Sequence, residues 1–317
     1  MKLHCRSLIK FNRASPAQIP LGWVPRKRGK TMKKILLATT VLVGTAGFAS
    51  AEVTLSGNGR MGITSIETAA AGDKETSFNS RVRASVNMSA SSDGGLEFGG
   101  SFGIHDAGAA AGGTEGSVFI SGAFGKLTMG GNDSAAQNAV GQLAGVGYTG
   151  NGDHNEIGYL TSGDRESALY SYSASGFTGY VSVGQPDNAD DTYSVGAAYA
   201  TDAFSVAVGY EDSSVVGTQT SVAASATMSG VTAKAIYMTR DNVAGFDPSS
   251  YGLSATYAMD AVSLTVFARQ QETSATDTAY FQGIGASYAL GGGATLAGGV
   301  ANADGLTKAD LGVNFSF

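Results

Sequence analysis

Cysteine occurs once, at Cys5, and tryptophan once, at Trp23. Both lie within the first 51 residues, so residues 52–317 carry no thiol. That removes a disulfide framework, a thiolate metal site and a cysteine nucleophile from most of the chain. Histidine is nearly as scarce: beyond residue 51 only His105 and His154 remain, and neither has a second His or Cys at ligand spacing. Zinc therefore has no support. No stretch of 52–317 offers 18 consecutive apolar residues, which excludes helical membrane spans there. Basic charge is the last scarcity. All 26 acidic residues lie beyond position 51, whereas ten of the 20 basic residues precede it. Ten basic against 26 acidic side chains leave 52–317 at −16, compared with −6 for the whole chain. Such a segment repels phosphate backbones, and nucleic acid is not an expected partner.

The basic residues that are present early have a different use. Met32-Lys-Lys34 is a charged n-region, Ile35 to Phe48 a short apolar core, and Ala49-Ser-Ala51 an A-x-A cleavage site. Residues 32–51 thus read as a secretory signal peptide, cut between Ala51 and Glu52. Residues 1–31 precede a complete signal with its own Met and read as an upstream extension from a mis-assigned start. A genuine leader extension around Pro25-Arg-Lys-Arg28 is the alternative.

From Glu52 onward apolar and polar residues alternate in short segments separated by turn residues, the signature of half-buried strands. The expected strands are 52–66, 77–90, 94–105, 116–123, 125–132, 166–174, 176–185 and 191–200. They continue as 203–212, 218–228, 231–241, 249–259, 261–271, 279–290, 293–302 and 307–317. Short links, at Ser91–Asp93, Phe124, Ser175, Thr201-Asp202, Ser229-Gly230, Asp260 and Gly291-Gly292, alternate with longer polar ones. The longer ones are 67–76, 106–115, 133–165, 186–190, 213–217, 242–248, 272–278 and 303–306. Sixteen strands with short turns at one end and longer loops at the other predict an all-β fold, a transmembrane antiparallel β-barrel. Aromatics agree. Tyr172, Phe177, Tyr199, Phe204, Phe124, Tyr257, Tyr288 and Phe317 sit at short-turn ends, and Tyr193, Tyr210, Tyr251 and Tyr280 at long-loop ends. Two such rows are expected at the two membrane interfaces.

One connection stands apart. Residues 133–165 are Gly-rich but include Leu143, Val146, Tyr148, Ile157, Tyr159 and Leu160, so packing is expected rather than disorder. A sixteen-stranded tube has an open aqueous lumen, and this segment is expected to fold inward and narrow it.

Several stretches resemble one known family. They are Glu52-Val-Thr-Leu-Ser-Gly-Asn-Gly-Arg-Met-Gly62, Gly95-Leu-Glu-Phe-Gly-Gly-Ser-Phe102 and Ser117-Val-Phe-Ile-Ser-Gly-Ala-Phe-Gly-Lys126. Val146-Gly-Tyr-Thr149, Gly283-Ile-Gly-Ala-Ser-Tyr-Ala-Leu-Gly-Gly-Gly293 and Ala309-Asp-Leu-Gly-Val-Asn-Phe-Ser-Phe317 complete the set. The chain is similar to the general diffusion porins of alphaproteobacterial outer membranes, the Rhodobacter-type trimeric porins. The resemblance implies a homotrimer and a third loop that forms an eyelet, its acidic residues facing a basic cluster on the wall. By strand phase, Arg60, Arg81 and Arg83 point inward, opposite to Val53, Leu55, Met61, Val82 and Val86. Lys126 is inward near the periplasmic end, and Lys234, Arg240 and Arg269 are weaker wall candidates. The loop acids are Asp133, Asp153, Glu156, Asp164 and Glu166, but 134–152 carries no charge at all. That departure weakens the acidic side, and with it the structural calcium found on the loop in some relatives. Phe317 resembles the terminal mark read by the barrel-assembly machinery.

Other chemistries fit less well. Gly57-Asn-Gly59-Arg-Met-Gly62 satisfies G-x-G-x-x-G, but alternation runs through it and no helix follows, so no dinucleotide site is expected. A lipase-like barrel hydrolase would have to use His105, yet no G-x-S-x-G occurs in 52–317. A secreted β-rich adhesin would need neither aromatic rows nor a terminal Phe. The expectation is a passive outer-membrane channel for small hydrophilic solutes and ions. Outer-membrane lipid is an expected partner, and lipopolysaccharide and divalent ions are expected at Asp187, Asp190, Asp191 and Asp247 of the outer loops. The net charge argues for a mild cation preference, which Arg60, Arg81 and Arg83 oppose locally.

Overall fold

Strands that cross hydrocarbon must pair every backbone N–H and C=O with another strand, because the bilayer core offers no other partner. The computed structural model describes residues 51–68, 73–106, 112–113, 116–160, 167–184 and 191–317. In it the chain meets that demand by closing on itself. The first strands are β1 (Glu52–Glu67), β2 (Lys74–Ser91), β3 (Glu97–His105), β4 (Gly112–Gly113), β5 (Ser117–Gly122) and β6 (Gly125–Gly130). The helix α1 (Ala135–Val140) follows, then β7 (Ser167–Ala174), β8 (Phe177–Val183), β9 (Thr192–Ala200), β10 (Phe204–Ser213) and β11 (Gly217–Met228). The rest are β12 (Val231–Asn242), β13 (Ser249–Met259), β14 (Val262–Ser274), β15 (Asp277–Gly291), β16 (Ala294–Ala303) and β17 (Leu306–Ser316).

Sequential strands pair antiparallel, and β17 returns to β1 in a register running from Asn58 opposite Ser316 to Ile66 opposite Lys308. The two-residue β4 shares one edge of β3 with β5, so the seventeen pieces fill sixteen positions in a closed ring. Each of the sixteen strands expected from alternation is present, with ends differing by three residues or fewer.

Loop lengths differ from expectation. The connections placed at 272–278 and 303–306 are not long loops, because the strands run on to two-residue turns at 275–276 and 304–305. Asp304 and Gly305 both take positive φ, 50° and 89°, as do Ser175-Gly176 and Ser229-Gly230 at the other end of the ring. Paired left-handed residues match the right-handed twist of flanking strands, which is why hairpins favour them. The contrast between short and long connections therefore holds in the first half of the chain and fades in the last strands.

The two faces of the wall separate by residue parity. Leu55, Ile63, Val82, Leu253, Ile284 and Leu311 stand fully outward and exposed. Their opposite-phase neighbours are polar or small, among them Ser194, Gln219, Ser221, Ser250 and Ser254, all buried. The aromatic rows fall on the outer face: Phe177, Tyr199 and Phe204 pack in sequence with tilted rings, centroids 4.4 and 6.0 Å apart. At the other end Tyr237 faces Tyr251 across β12 and β13.

The seam explains part of the G-x-G-x-x-G stretch. Gly57 and Gly59 lie in outward phase, and a Cβ on either would touch the Phe317 ring, at 3.4 and 3.7 Å. Phe315 and Phe317 lie over these glycines, ring to ring at 6.5 Å, while Phe317 N–H donates to Gly57 O at 2.8 Å.

Ile284 stands at mid-strand on the lipid side, 62% exposed in the isolated chain. Ile284→Arg should cost about 2–4 kcal/mol, the range for a cation at the bilayer midplane. Ser287→Arg, three residues further along the same strand on the inner face, should cost far less. Urea unfolding of the barrel in lipid vesicles measures both.

Candidate functional site

Between β6 and β7 the chain leaves the wall. Ser134 caps α1, its Oγ accepting from Gln137 N at 3.1 Å, and Gly141 ends the helix with φ 64°. Six residues are too few for a helix to persist unaided. The wall supplies the missing support at both ends. Ser182 Oγ of β8 and Ser194 Oγ of β9 accept from Ala135 N and Ala136 N at 2.9 and 2.8 Å. Lys234 Nζ of β12 donates to Val140 O at 2.6 Å, placing a cation where the helix carbonyls are unpaired.

The rest of the segment is fastened around the ring in the same manner. Ser254 Oγ of β13 accepts from Ala144 N at 3.0 Å. Asp310 of β17 accepts from Thr149 N and Thr149 Oγ1 at 2.8 and 2.6 Å. Arg269 Nε of β14 donates to His154 O at 3.0 Å, and its guanidinium lies 4.1 Å from the Phe281 ring on which His154 also stacks. Glu211 of β10, fully buried, accepts from Leu160 N at 3.1 Å and from Gln219 Nε2 at 3.2 Å. Gln219 also donates to Gly158 O at 2.9 Å and accepts from Arg240 at 2.7 and 2.9 Å. Apolar packing fills the gaps: Val140, Leu143, Ile157 and Tyr159 meet Ile236 and Met238 of β12, and Val146 meets Phe267 and Ala301.

Close approach of the loop depends on glycine. Gly196 faces Gly209 across β9 and β10, Gly285 faces Gly299 across β15 and β16, and Gly312 faces Gly62 across β17 and β1. A Cβ on Gly209 would lie 2.5 Å from Ala136 Cβ, and one on Gly196 2.7 Å from Ala139 Cβ. Gly285 and Gly299 leave room for Val146 and Gly147, whose nearest atoms would be 2.9 and 2.7 Å from the added carbon. Gly62 and Gly312 admit the Tyr148 ring, at 2.7 and 2.8 Å. These three facing pairs and Gly252, under Leu143, form a belt on the inner face.

The expected basic wall residues divide in two. Arg60 and Arg81 face each other across β1 and β2, Arg83 faces Asn58, and Arg60 Nη1 reaches Thr149 O at 3.5 Å. Lys234, Arg240 and Arg269 lie beneath the loop and donate to its carbonyls, directly for Lys234 and Arg269 and at 3.4 Å for Arg240. Lys126 stands beside a short turn, 4.2 Å over the Phe119 ring. Of the loop acids, Asp133, Asp153 and Glu156 are exposed, whereas Asp164 and Glu166 lie outside the described residues. So do the expected leader residues 1–31, the signal up to residue 50, and Asp187 and Asp190. Ala51 precedes β1, which begins at Glu52. Asp310 and Glu211 were not singled out by alternation, which marks them only as polar-phase residues. Their burial follows from the loop above them.

Partial withdrawal of the carboxyl from water, on a residue that stays exposed as a whole, then Asp153 and Asp133, hold Glu156 above the usual carboxylate range, with Arg269 pulling the other way. Burial, then Lys308 and Arg269, hold His154 below the ordinary histidine value. Burial and Glu211 push the Tyr159 phenol up, and its hydroxyl donates to Gly141 O at 2.7 Å. Among the described residues Asp133, Asp153 and Glu156 do not assemble a group of three acidic or imidazole ligands that could hold a metal, so no step is assigned to calcium.

A closed ring with an apolar outer face and a polar inner one is a transmembrane β-barrel channel. The model for the family of Gram-negative porins matches residues 38–308. A porin of Rhodobacter capsulatus is 35% identical over 308 residues, covering 84% of this chain and all of that protein. A porin of Fuscovulum blasticum is 27% identical over 294 residues with the same coverage. A porin structure refined at 1.8 Å superposes with a TM-score of 0.71 at 33% identity, covering 84% of this chain and 100% of the other. A variant of the Rh. blastica porin superposes at 0.72 with 23% identity and the same coverage, which supports the fold alone. The chain belongs to the Gram-negative porin family. It is an outer-membrane channel and not an enzyme.

Asp310→Ala would strip both Thr149 donors of the Oδ2 acceptor they share. Leaving those donors unmet costs about 1–3 kcal/mol, equivalent to roughly tenfold or more in local opening. Amide exchange at Thr149 should accelerate by that factor while exchange at mid-strand Ile284 is unchanged.

Proposed function

We propose that residues 131–160 form the constriction of this channel, with the basic wall of Arg60, Arg81 and Arg83 facing the acids Asp153 and Glu156. The observation that carries this reading is the reach of the anchors. Loop atoms bond to inward side chains on β8, β9, β10, β12, β13, β14, β17 and β1, so the anchors follow the inner wall from β8 round to β1. Opposed charges across a narrow passage orient dipolar solutes and disfavour apolar ones.

Three of the expected wall cations, Lys234, Arg240 and Arg269, are engaged by loop carbonyls. That leaves the acids of the loop and rim to set the overall sign, and the channel prefers cations mildly. The protein acts as a homotrimer in the outer membrane after removal of residues 32–51. The barrel-assembly machinery reads Phe317, and lipopolysaccharide with divalent ions contacts outer acids such as Asp191 and Asp247. The family supports this reading, as do the exposed Phe317 and the acidic surplus of 52–317.

The reversal potential of the purified protein in a planar bilayer under a KCl gradient tests it. A potential on the potassium side is expected; one on the chloride side overturns the charge assignment, and no conductance steps overturns the channel.

The pH dependence has a definite sign. Glu156 titrates above the ordinary glutamate value, so acidification removes its charge before that of a carboxylate at the ordinary value. His154, held low, adds no positive charge until below about pH 6.5. Cation preference should therefore begin to fall above the usual carboxylate range, and Glu156→Gln should delete that upper part of the curve. Ionised Glu156 is the disfavoured form in the folded loop. Its contribution to loop stability is present below the unfolded value and is lost as pH rises through the folded one.

A further inference from the structure

The arginine wall adjoins a recess that the constriction does not require. Asn58, Arg83, Ser85, Asn87 and Ser101 line a hollow of about 240 Å³ on β1, β2 and β3. All five share the inward phase: Asn58 faces Arg83, Asn87 faces Ser101, and Ser85 faces Gly103, which has no side chain to fill the space. Arg60 and Arg81 form the next inward pair along the same two strands. Directly opposed Cβ atoms lie about 5 Å apart and diagonal ones about 7–8 Å apart, so three guanidiniums crowd one patch.

Like charges set opposite one another repel. Asp106 is the carboxylate whose field acts on Arg81 against those of Arg60 and Arg83, and its Oδ1 is already engaged by Val82 N at 2.6 Å. The Nε atoms of Arg60 and Arg81 are withdrawn from solvent and donate to no group among the described residues. Unmet guanidinium donors match the oxygens of a tetrahedral anion, two at a time. The neighbouring amides and hydroxyls can donate to the remaining oxygens, or accept from a hydroxylated remainder.

We propose that Arg60, Arg81 and Arg83, with the Asn58–Ser101 recess, form a binding subsite for small dianionic oxyanions, inorganic phosphate and phosphomonoesters. The proposal rests on the channel reading, which makes this face a lumen. A dianion is favoured over a monoanion because three cations crowd one patch, and among the described residues Asp106 is the carboxylate whose field reaches Arg81. Occupancy also has a consequence for flux. A bound dianion cancels the local attraction for anions, so the channel becomes more cation-preferring when phosphate is present.

Inorganic phosphate is the probe. Reversal potentials are measured across a planar bilayer at fixed chloride and fixed ionic strength, with gluconate exchanged stepwise for phosphate at slightly alkaline pH. The wild-type potential should move toward the potassium limit and saturate. Arg81→Ser combined with Arg83→Ser should abolish the saturable part, and KCl conductance steps of any size show that the variant has inserted. Ser101→Phe, which fills the recess without removing charge, should weaken it and serves if the double variant does not insert. A wild-type potential that does not saturate with phosphate overturns the subsite, as does the same saturable shift in the variants. Persisting KCl steps in either case leave the channel reading intact, whereas their absence from the wild type overturns that reading itself.

Discussion

Backbone hydrogen bonding in hydrocarbon is the constraint on which the rest depends. An open strand edge in a bilayer leaves a row of unpaired amides and carbonyls, so the first strand must find the last. The pairing of β1 with β17 closes the ring, and its lower end is locked by reciprocal bonds between Gly57 and Phe317. The glycines at 57 and 59 belong to this closure, because they make room for two terminal phenylalanines on the outer face. Parity then decides everything else: once the ring is closed, odd and even positions are committed to lipid or lumen, and a shift of one residue would invert both.

A closed ring creates a lumen wide enough to need filling or narrowing. The segment after β6 is seated against the inward residues of the wall by a specific division of labour. Glycine pairs at the same level of neighbouring strands let loop backbone lie against wall backbone, and serines accept from its amides. Lys234 and Arg269 satisfy its carbonyls, while Asp310 and Glu211 take its amides. The polar groups of an irregular segment would be costly to bury without such partners. Inward polar residues thus serve two ends, wetting the open part of the passage and seating the covered part.

Much of the barrel was legible because the bilayer enforces a strict two-residue period. Val53 to Ile63 and Leu311 to Phe315 declare their face without any knowledge of neighbours. What was not legible depends on register. Asp310 and Asn314 look alike as polar-phase residues of β17, yet only Asp310 lies under Thr149. Lys234 and Arg60 likewise look alike as inward cations, but one caps a helix and the other borders a recess. The facing glycines at 62 and 312, 196 and 209, and 285 and 299 were a usable signal: aligning the strands by their turns brings them into pairs. The lengths of the last outer connections were misjudged because Ser274, Asp277 and Ala303 continue the strands up to their turns, and polar composition alone does not distinguish a strand end from a loop.

The central claim is that residues 131–160 stand in the path of the current. Single-channel conductance of a variant in which residues 135–157 are replaced by a short Gly-Ser linker tests it most directly. The account predicts larger conductance steps with the barrel still folded, as judged by its β-sheet circular dichroism. Steps of unchanged size in an intact barrel would place the segment outside the conducting path and contradict it.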